Sequence, residues 1–117
     1  MEVLLARTLG FCYGVRRAVD TAFAAETPPA SKPLATLGPL IHNPQMIEKL
    51  AACGVSVIDS LSEAAGRTVL IRSHGVGPEV YDEAARYEIV LQDATCPHVK
   101  KAQQAARQFA DRGFRVV

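Results

Sequence analysis

Two thiols and two imidazoles stand out in this chain for where they fall: Cys12, His42, His74 and Cys96. Each follows a segment that reads as a strand and precedes one that reads as a helix. In a parallel sheet all such loops open at the carboxyl edge of the strands, where α/β proteins bind ligands. A thiol at a helix start faces unpaired N–H groups and the positive end of the helix dipole, an environment for an anionic sulfur that attacks electrophiles or ligates metals. Imidazoles beside helix N-termini suit an anion. One rim carrying both suits an anion and a soft metal together.

Each residue also has a plainer reading. Cys12 is a candidate small hydrophobe packed in a turn. Cys96 before Pro97 could stand in for an N-cap. His42 could hold its loop through a backbone hydrogen bond, and His74-Gly75 could form an ordinary turn. His98, in a helix first turn, reads as exposed or capping. Cys53, on the last turn of a helix, falls at the opposite end from the rim and reads as structural. Arg16, Arg17, Lys100 and Lys101 read as solvated helix faces, with Arg16 and Lys100 close enough to helix starts to add field. Two thiols and two imidazoles also permit zinc, although no CxxC pair exists. A Cys12–Cys96 redox disulfide is open as well, without the CxxC of thioredoxin-like enzymes. The cysteine runs of ferredoxins are missing.

The elements that must position these residues alternate along the chain. Residues 2–6 read as a strand, and Gly10-Phe11-Cys12-Tyr13-Gly14-Val15 turns it into a helix over 14–25. Val15, Ala18, Val19, Ala22 and Phe23 give that helix one apolar face. Gly10 and Gly14 allow a tight turn and a close approach to a ligand. Three prolines make 26–33 a loop. Leu34–Leu37 is a second strand. Asn43 then caps a helix with Pro44 at its first position, and Gly54 closes it. Residues 55–58 alternate like a strand. Ser60 and Glu63 spell a capping box for a short helix ended by Gly66. Residues 68–72 form a strand, 73–77 a turn, Pro78–Arg86 a helix and 88–91 a strand. Pro97 opens a long helix capped by Gly113, and Phe114-Arg115-Val116-Val117 begins another strand. The expected fold is α/β: a parallel sheet flanked by helices, with right-handed crossovers. The last strand has barely begun at Val117, which is expected of the front part of a longer protein.

With 117 residues, half of them hydrophobic, the chain is long enough for one domain with a core. Its net charge of +1 implies no general nucleic-acid-binding surface. Apolar runs are strand-sized, so no membrane span is expected. Three cysteines without framework spacing and no secretory signal pattern point to a reducing, cytoplasmic setting.

Taken together, Gly10-Phe11-Cys12-Tyr13-Gly14-Val15, Ile41-His42-Asn43, Ser73-His74-Gly75-Val76 and Asp93-Ala94-Thr95-Cys96-Pro97 resemble the N-terminal part of the 4-hydroxy-3-methylbut-2-enyl diphosphate reductase family. The resemblance covers essentially the whole chain and about the first third of the family's protein. It implies one of three related α/β units around a [4Fe–4S] cluster, with residues from about 97 to 117 starting the next unit. It implies that Cys12 and Cys96 are two of the three cluster cysteines, and that His42 and His74 face the substrate's diphosphate. The implied reaction is reductive dehydroxylation of an allylic diphosphate to isopentenyl and dimethylallyl diphosphate, with electrons from ferredoxin or flavodoxin. The family's third cysteine, its glutamate proton donor and its Thr, Ser and Asn substrate contacts fall beyond Val117. No catalytic proton donor is therefore expected from Met1 to Val117, and this chain alone should neither hold a stable cluster nor turn over. A first strand whose neighbour belongs to another unit would leave an orphan edge, and self-association is expected from it. The alternative is a non-catalytic α/β module that binds an anion or zinc.

Overall fold

Asn43 shows how local sequence sets the framework. Its side-chain oxygen accepts the Met46 N–H at 3.1 Å, and Pro44 occupies the first turn where no N–H is needed. A computed structural model describes residues 1–24 and 34–117; the loop expected over 26–33 lies outside the described residues. In chain order the elements are α1 (Tyr13–Ala24), β1 (Leu34–Leu37), α2 (Pro44–Ala52), β2 (Ser56–Ile58), a 3-10 turn (Leu61–Glu63), β3 (Thr68–Ile71), α3 (Pro78–Arg86), β4 (Val90–Asp93) and α4 (Pro97–Asp111).

The four strands make one parallel sheet in the order β2-β1-β3-β4. Leu37 pairs with Ile58 on one side of β1, and Thr36 pairs with Leu70 on the other. Alternate residues of the central strands bury into two separate cores. Leu34 and Leu70 pack with Ala18, Val19 and Ala22 of α1 and Leu50 of α2. Ala35 and Val69 pack with Ile58, Leu61 and Ala84 of α3 on the opposite face. Each fully buried Leu, Ile or Val of these clusters contributes about 1.5–3 kcal/mol relative to exposure. Burial on both faces is why β1 and β3 are apolar almost throughout.

This topology has one consequence for function. From β1 the chain crosses through α2, on one face, to β2. From β3 it crosses through α3, on the other face, to β4. The two crossovers diverge, so the carboxyl ends of β1 and β3 flank a crevice of the kind where open α/β sheets bind ligands.

Four expectations need correction. Residues 2–6 form no strand; all are exposed. Apolar alternation supplies strand propensity, but a strand exists only where a neighbour completes its hydrogen bonds, and no described strand lies beside these residues. For the same reason the strand expected to begin at Phe114 and run to Val117 does not form. Residues 114–117 are irregular, and Val117 itself is fully exposed and pairs with no described strand. The strand expected at 88–91 is β4 at Val90–Asp93, because the end of α3 occupies the preceding residues. Glu88 takes a left-handed φ of 53°, and the Ile89 N–H donates to the Ala84 carbonyl at 2.9 Å. The helix expected after Ser60 is a single 3-10 turn, although its capping box forms, with Glu63 Oε1 accepting the Ser60 N–H at 2.9 Å.

Candidate functional site

Cys12 and Cys96 occupy the same local position. The Cys12 carbonyl accepts the Arg16 N–H at 2.9 Å, and the Cys96 carbonyl accepts the Lys100 N–H at 3.0 Å, the first bonds of α1 and α4. Each is therefore an N-cap residue with its thiol beside a helix N-terminus. Cys12 is exposed, whereas Cys96 is buried. Cys12 follows no strand, so its place on the rim comes from α1 rather than from a strand–helix turn.

What brings the two helix starts together is Gly14. A Cβ at Gly14 would lie 2.8 Å from both Cβ and Sγ of Cys96, closer than side-chain atoms tolerate. The first turn of α1 thus rests directly on Cys96. Two further contacts fasten it. Arg17 Nη1 donates to the Thr95 carbonyl at 3.3 Å, and the Tyr13 and His98 rings meet edge to face with centroids 6.5 Å apart. Arg17 is thus not the solvated residue its sequence position suggests. His98 is exposed, as expected, and meets the Tyr13 ring at the start of α1.

The Cys96 turn is joined in the same way to the His74 turn. The Cys96 N–H donates to the Ser73 carbonyl at 2.8 Å, and the Gly75 N–H closes a turn onto the Arg72 carbonyl at 3.0 Å. Gly75 takes a φ of 76°, and a Cβ there would press on Thr95 and Gln103 at 3.0–3.3 Å. Asp93 orders the approach: its Oδ1 accepts the Thr95 N–H at 2.8 Å, and its Oδ2 pairs with Lys100 Nζ at 2.5 Å. Burial pushes the Asp93 carboxyl up, but the Lys100 and Thr95 hydrogen bonds outweigh it and hold the group below its ordinary value. Lys100 is therefore a partner of the turn as well as a source of field.

His74 and His42 stand across the β1–β3 crevice. Both are exposed, and His42 directly precedes the Asn43 cap of α2. His74 is held below its ordinary value by partial burial, then by the positive charge of Arg72 and by His42. Two imidazoles and a guanidinium thus lie at the sheet's carboxyl edge, with Arg72 and His42 both acting on His74. Arg72 is the residue that sequence reasoning missed. Its only sequence signal is its place one residue beyond a buried strand.

The structure thus links three of the four singled-out residues through contacts of their own turns, Cys12 to Cys96 by way of Gly14 and Cys96 to His74 by way of Ser73, while His42 acts on His74 only through its charge. Cys53 ends α2, away from this rim. Among the described residues no group of three or more His, Cys, Asp or Glu side chains is placed to hold a metal ion. No described helix is long and apolar enough to cross a membrane.

Residues 3–117 match the family described as LytB protein. The chain is 45% identical over 119 residues to the 4-hydroxy-3-methylbut-2-enyl diphosphate reductase of Geobacter metallireducens, covering 100% of the chain and 41% of that protein. It is 44% identical to the enzyme of the same name from Alkaliphilus oremlandii, covering 100% of the chain and 42% of that protein. A solved structure of (E)-4-hydroxy-3-methyl-but-2-enyl diphosphate reductase, described as the terminal enzyme of the non-mevalonate pathway, superposes with a TM-score of 0.82 at 38% identity, over 96% of this chain and 40% of that one. The E-1-hydroxy-2-methyl-but-2-enyl-4-diphosphate reductase of Plasmodium falciparum superposes with a TM-score of 0.82 at 27% identity, over 90% of this chain and 33% of that one. The chain spans about two fifths of the length of the curated relatives it matches. With all but its first two residues matched, and with the α/β fold of the solved relatives, this chain belongs to the LytB family.

Proposed function

We propose that this chain forms one wall of the active site of a 4-hydroxy-3-methylbut-2-enyl diphosphate reductase, with Cys12 and Cys96 as cluster ligands and His42 and His74 as diphosphate-binding residues. The observation that carries the reading is the seating of Gly14 on Cys96, which sets two N-cap thiols at adjacent helix starts beside a basic crevice. That donor set fits a [4Fe–4S] cluster in part: two thiolates for two irons, the third from residues outside 1–117. The proton donor is likewise assigned to residues beyond Val117. When bound, such a cluster supplies electrons and an open Lewis-acidic iron.

The chain's own residues do the binding and orienting. The imidazoles of His42 and His74 donate hydrogen bonds to phosphate oxygens, charge-assisted when protonated. At the N-terminus of α2, where Pro44 has no N–H and Asn43 takes that of Met46, the Gln45 N–H adds one backbone donor. Fixing the diphosphate at the crevice directs the other end of the substrate toward the cysteine side of the rim. In the overall reaction the allylic alcohol takes up two electrons and two protons, its C–O bond breaks, a C–H bond forms, and water leaves. Ferredoxin or flavodoxin is the proposed electron source and the cytoplasm the proposed setting. The lack of buried residues on α4 supports assigning residues from about 97 to the next unit.

Joining this chain to the remaining part of the Geobacter relative tests the reading. With a chemical reductant, the chimera should convert the allylic diphosphate to isopentenyl and dimethylallyl diphosphate. Cys12→Ser and Cys96→Ser should each abolish turnover, while Cys53→Ser should not. Full turnover by either rim variant would sink the ligand assignment. The 117-residue chain, reconstituted anaerobically, should hold iron poorly; a robust stoichiometric cluster on it would overturn the need for a third thiolate. Light scattering checks whether the exposed residues 2–6 drive self-association, which a strict monomer would contradict.

A further inference from the structure

Arg72 is a cation with no counter-ion among the described residues, in the crevice between β1 and β3. It follows β3 directly, and continuing the Thr36–Leu70 register by two residues places it opposite Gly38, the first residue after β1. Its guanidinium lies against that glycine: a Cβ on Gly38 would sit 2.9 Å from Nη1 and 3.5 Å from Cζ. Gly38 also takes a φ of 68°, which a residue with a side chain rarely adopts. The Nε of Arg72 is sealed from water and has no hydrogen-bond partner, while the side chain as a whole is half-buried. The ion pair found among the described residues is Lys100–Asp93, and no described carboxylate pairs with Arg72.

A guanidinium stays charged at any physiological pH. Burying part of one beside a second basic group, without a carboxylate, is unfavourable for folding alone. Such an arrangement is expected where the balancing negative charge comes from outside these residues, and its position at the ligand-binding edge of the sheet points to a ligand as the source. The place is the one where the two crossovers diverge, on the edge that carries His42 and His74, and the planar fork of an arginine matches a phosphate group better than a single imidazole does.

We propose that Arg72 is a diphosphate-binding residue of this rim, the fixed positive charge that holds the ligand's anionic end between His42 and His74, and that Gly38 is side-chain-free to let it lie there. This rests on the crevice being the diphosphate side of the site. The pairing of Arg72 with Gly38 makes the two positions one device: a side chain at 38 would displace the guanidinium without removing its charge.

The test is titration of the 117-residue chain with inorganic pyrophosphate by calorimetry, each variant being checked for its far-UV circular dichroism. Arg72→Met should weaken binding about tenfold or more, as loss of a charge-assisted hydrogen bond does. Arg72→Lys should recover part of the affinity, and Gly38→Ala should lose several-fold. His74, followed by NMR, should titrate at higher pH in Arg72→Met than in the parent chain, which reports the guanidinium's position without any ligand. Pyrophosphate affinity within about twofold of the parent in Arg72→Met, alongside a loss in His74→Gln, would overturn the assignment of Arg72 and leave the crevice standing. Absence of pyrophosphate binding to the parent chain would overturn both. A chimera that binds pyrophosphate through Arg72 but does not reduce the allylic alcohol would overturn only the reductase reading.

Discussion

Cys96 and Cys12 each lend a carbonyl to the first bond of a helix, yet their surroundings differ sharply. The Cys96 turn is over-determined. Its N–H is bonded to Ser73, its neighbour Thr95 is bonded to Asp93 and Arg17, and Gly14 closes the space beside its sulfur. Cys12 is exposed and is preceded by ten exposed residues and a half-buried Phe11. One thiol is fixed by the sheet; the other rides on the docking of α1. The difference teaches where precision in this rim originates. It comes from the β3 and β4 turns, and α1 brings the second thiol by resting on the first.

The sharpest way to break this asymmetry is Gly14→Val. A glycine inside a helix is about 1 kcal/mol worse than alanine by propensity alone. The contact with Cys96 decides the other way, and overpacking there should cost about 1–3 kcal/mol. Urea unfolding would measure it; a stability equal to the parent's would mean that α1 does not rest on Cys96. Next come the thiols themselves. Cys96→Ser places a hydroxyl in a buried site and should cost about 1–2 kcal/mol, while Cys12→Ser should stay within about 0.5 kcal/mol. Equal losses would erase the distinction between a fixed and a carried thiol.

A smaller effect is expected at Asp93. Asp93→Ala removes the Thr95 cap and the Lys100 pair and should cost about 1 kcal/mol. The carboxyl is held below its ordinary value in the folded chain, so its contribution is present above the unfolded value near 3.8 and is lost as pH falls through the folded value. Acid unfolding of the parent should therefore be steeper than that of Asp93→Ala. The smallest effect belongs to His74. Its folded value lies below the ordinary 6.5, so folding favours the neutral ring; stability is full above 6.5 and declines as pH falls from there through the folded value. His74→Gln should flatten the melting temperature between about pH 5 and 8 by a small margin. Steeper pH dependence in the variant would contradict the direction of the shift.

Much of this was legible in the residues because it is local. Asn43-Pro44, Ser60 with Glu63, and Gly54 after Cys53 carry their caps in adjacent positions, and the structure uses them as written. Strand-then-helix alternation was enough to place His42, His74 and Cys96 on one edge. The exposed segment 2–6 and the stretch from Phe114 to Val117 read as strands in sequence and are not, for the opposite reason. Val3-Leu4-Leu5-Ala6 has the composition of a strand, but pairing is a property of two segments, and composition reports on one. Arg17 reads as solvated in sequence, and the pairing of the exposed Lys100 goes unseen there, because nothing near them in the chain announces Thr95 or Asp93 as a partner.

The order of elements from α1 to α4, their caps and the placement of His42, His74 and Cys96 just past strand ends are dictated by the sequence itself, since each depends on dihedral preferences and hydrogen bonds within a few residues. Tertiary structure alone decided that Gly14 meets Cys96 and that Arg72 lies against Gly38 without a described counter-charge. It also left the N-terminal residues without a strand. Those outcomes depend on atoms far apart in the chain competing for the same space and the same field, which only packing resolves.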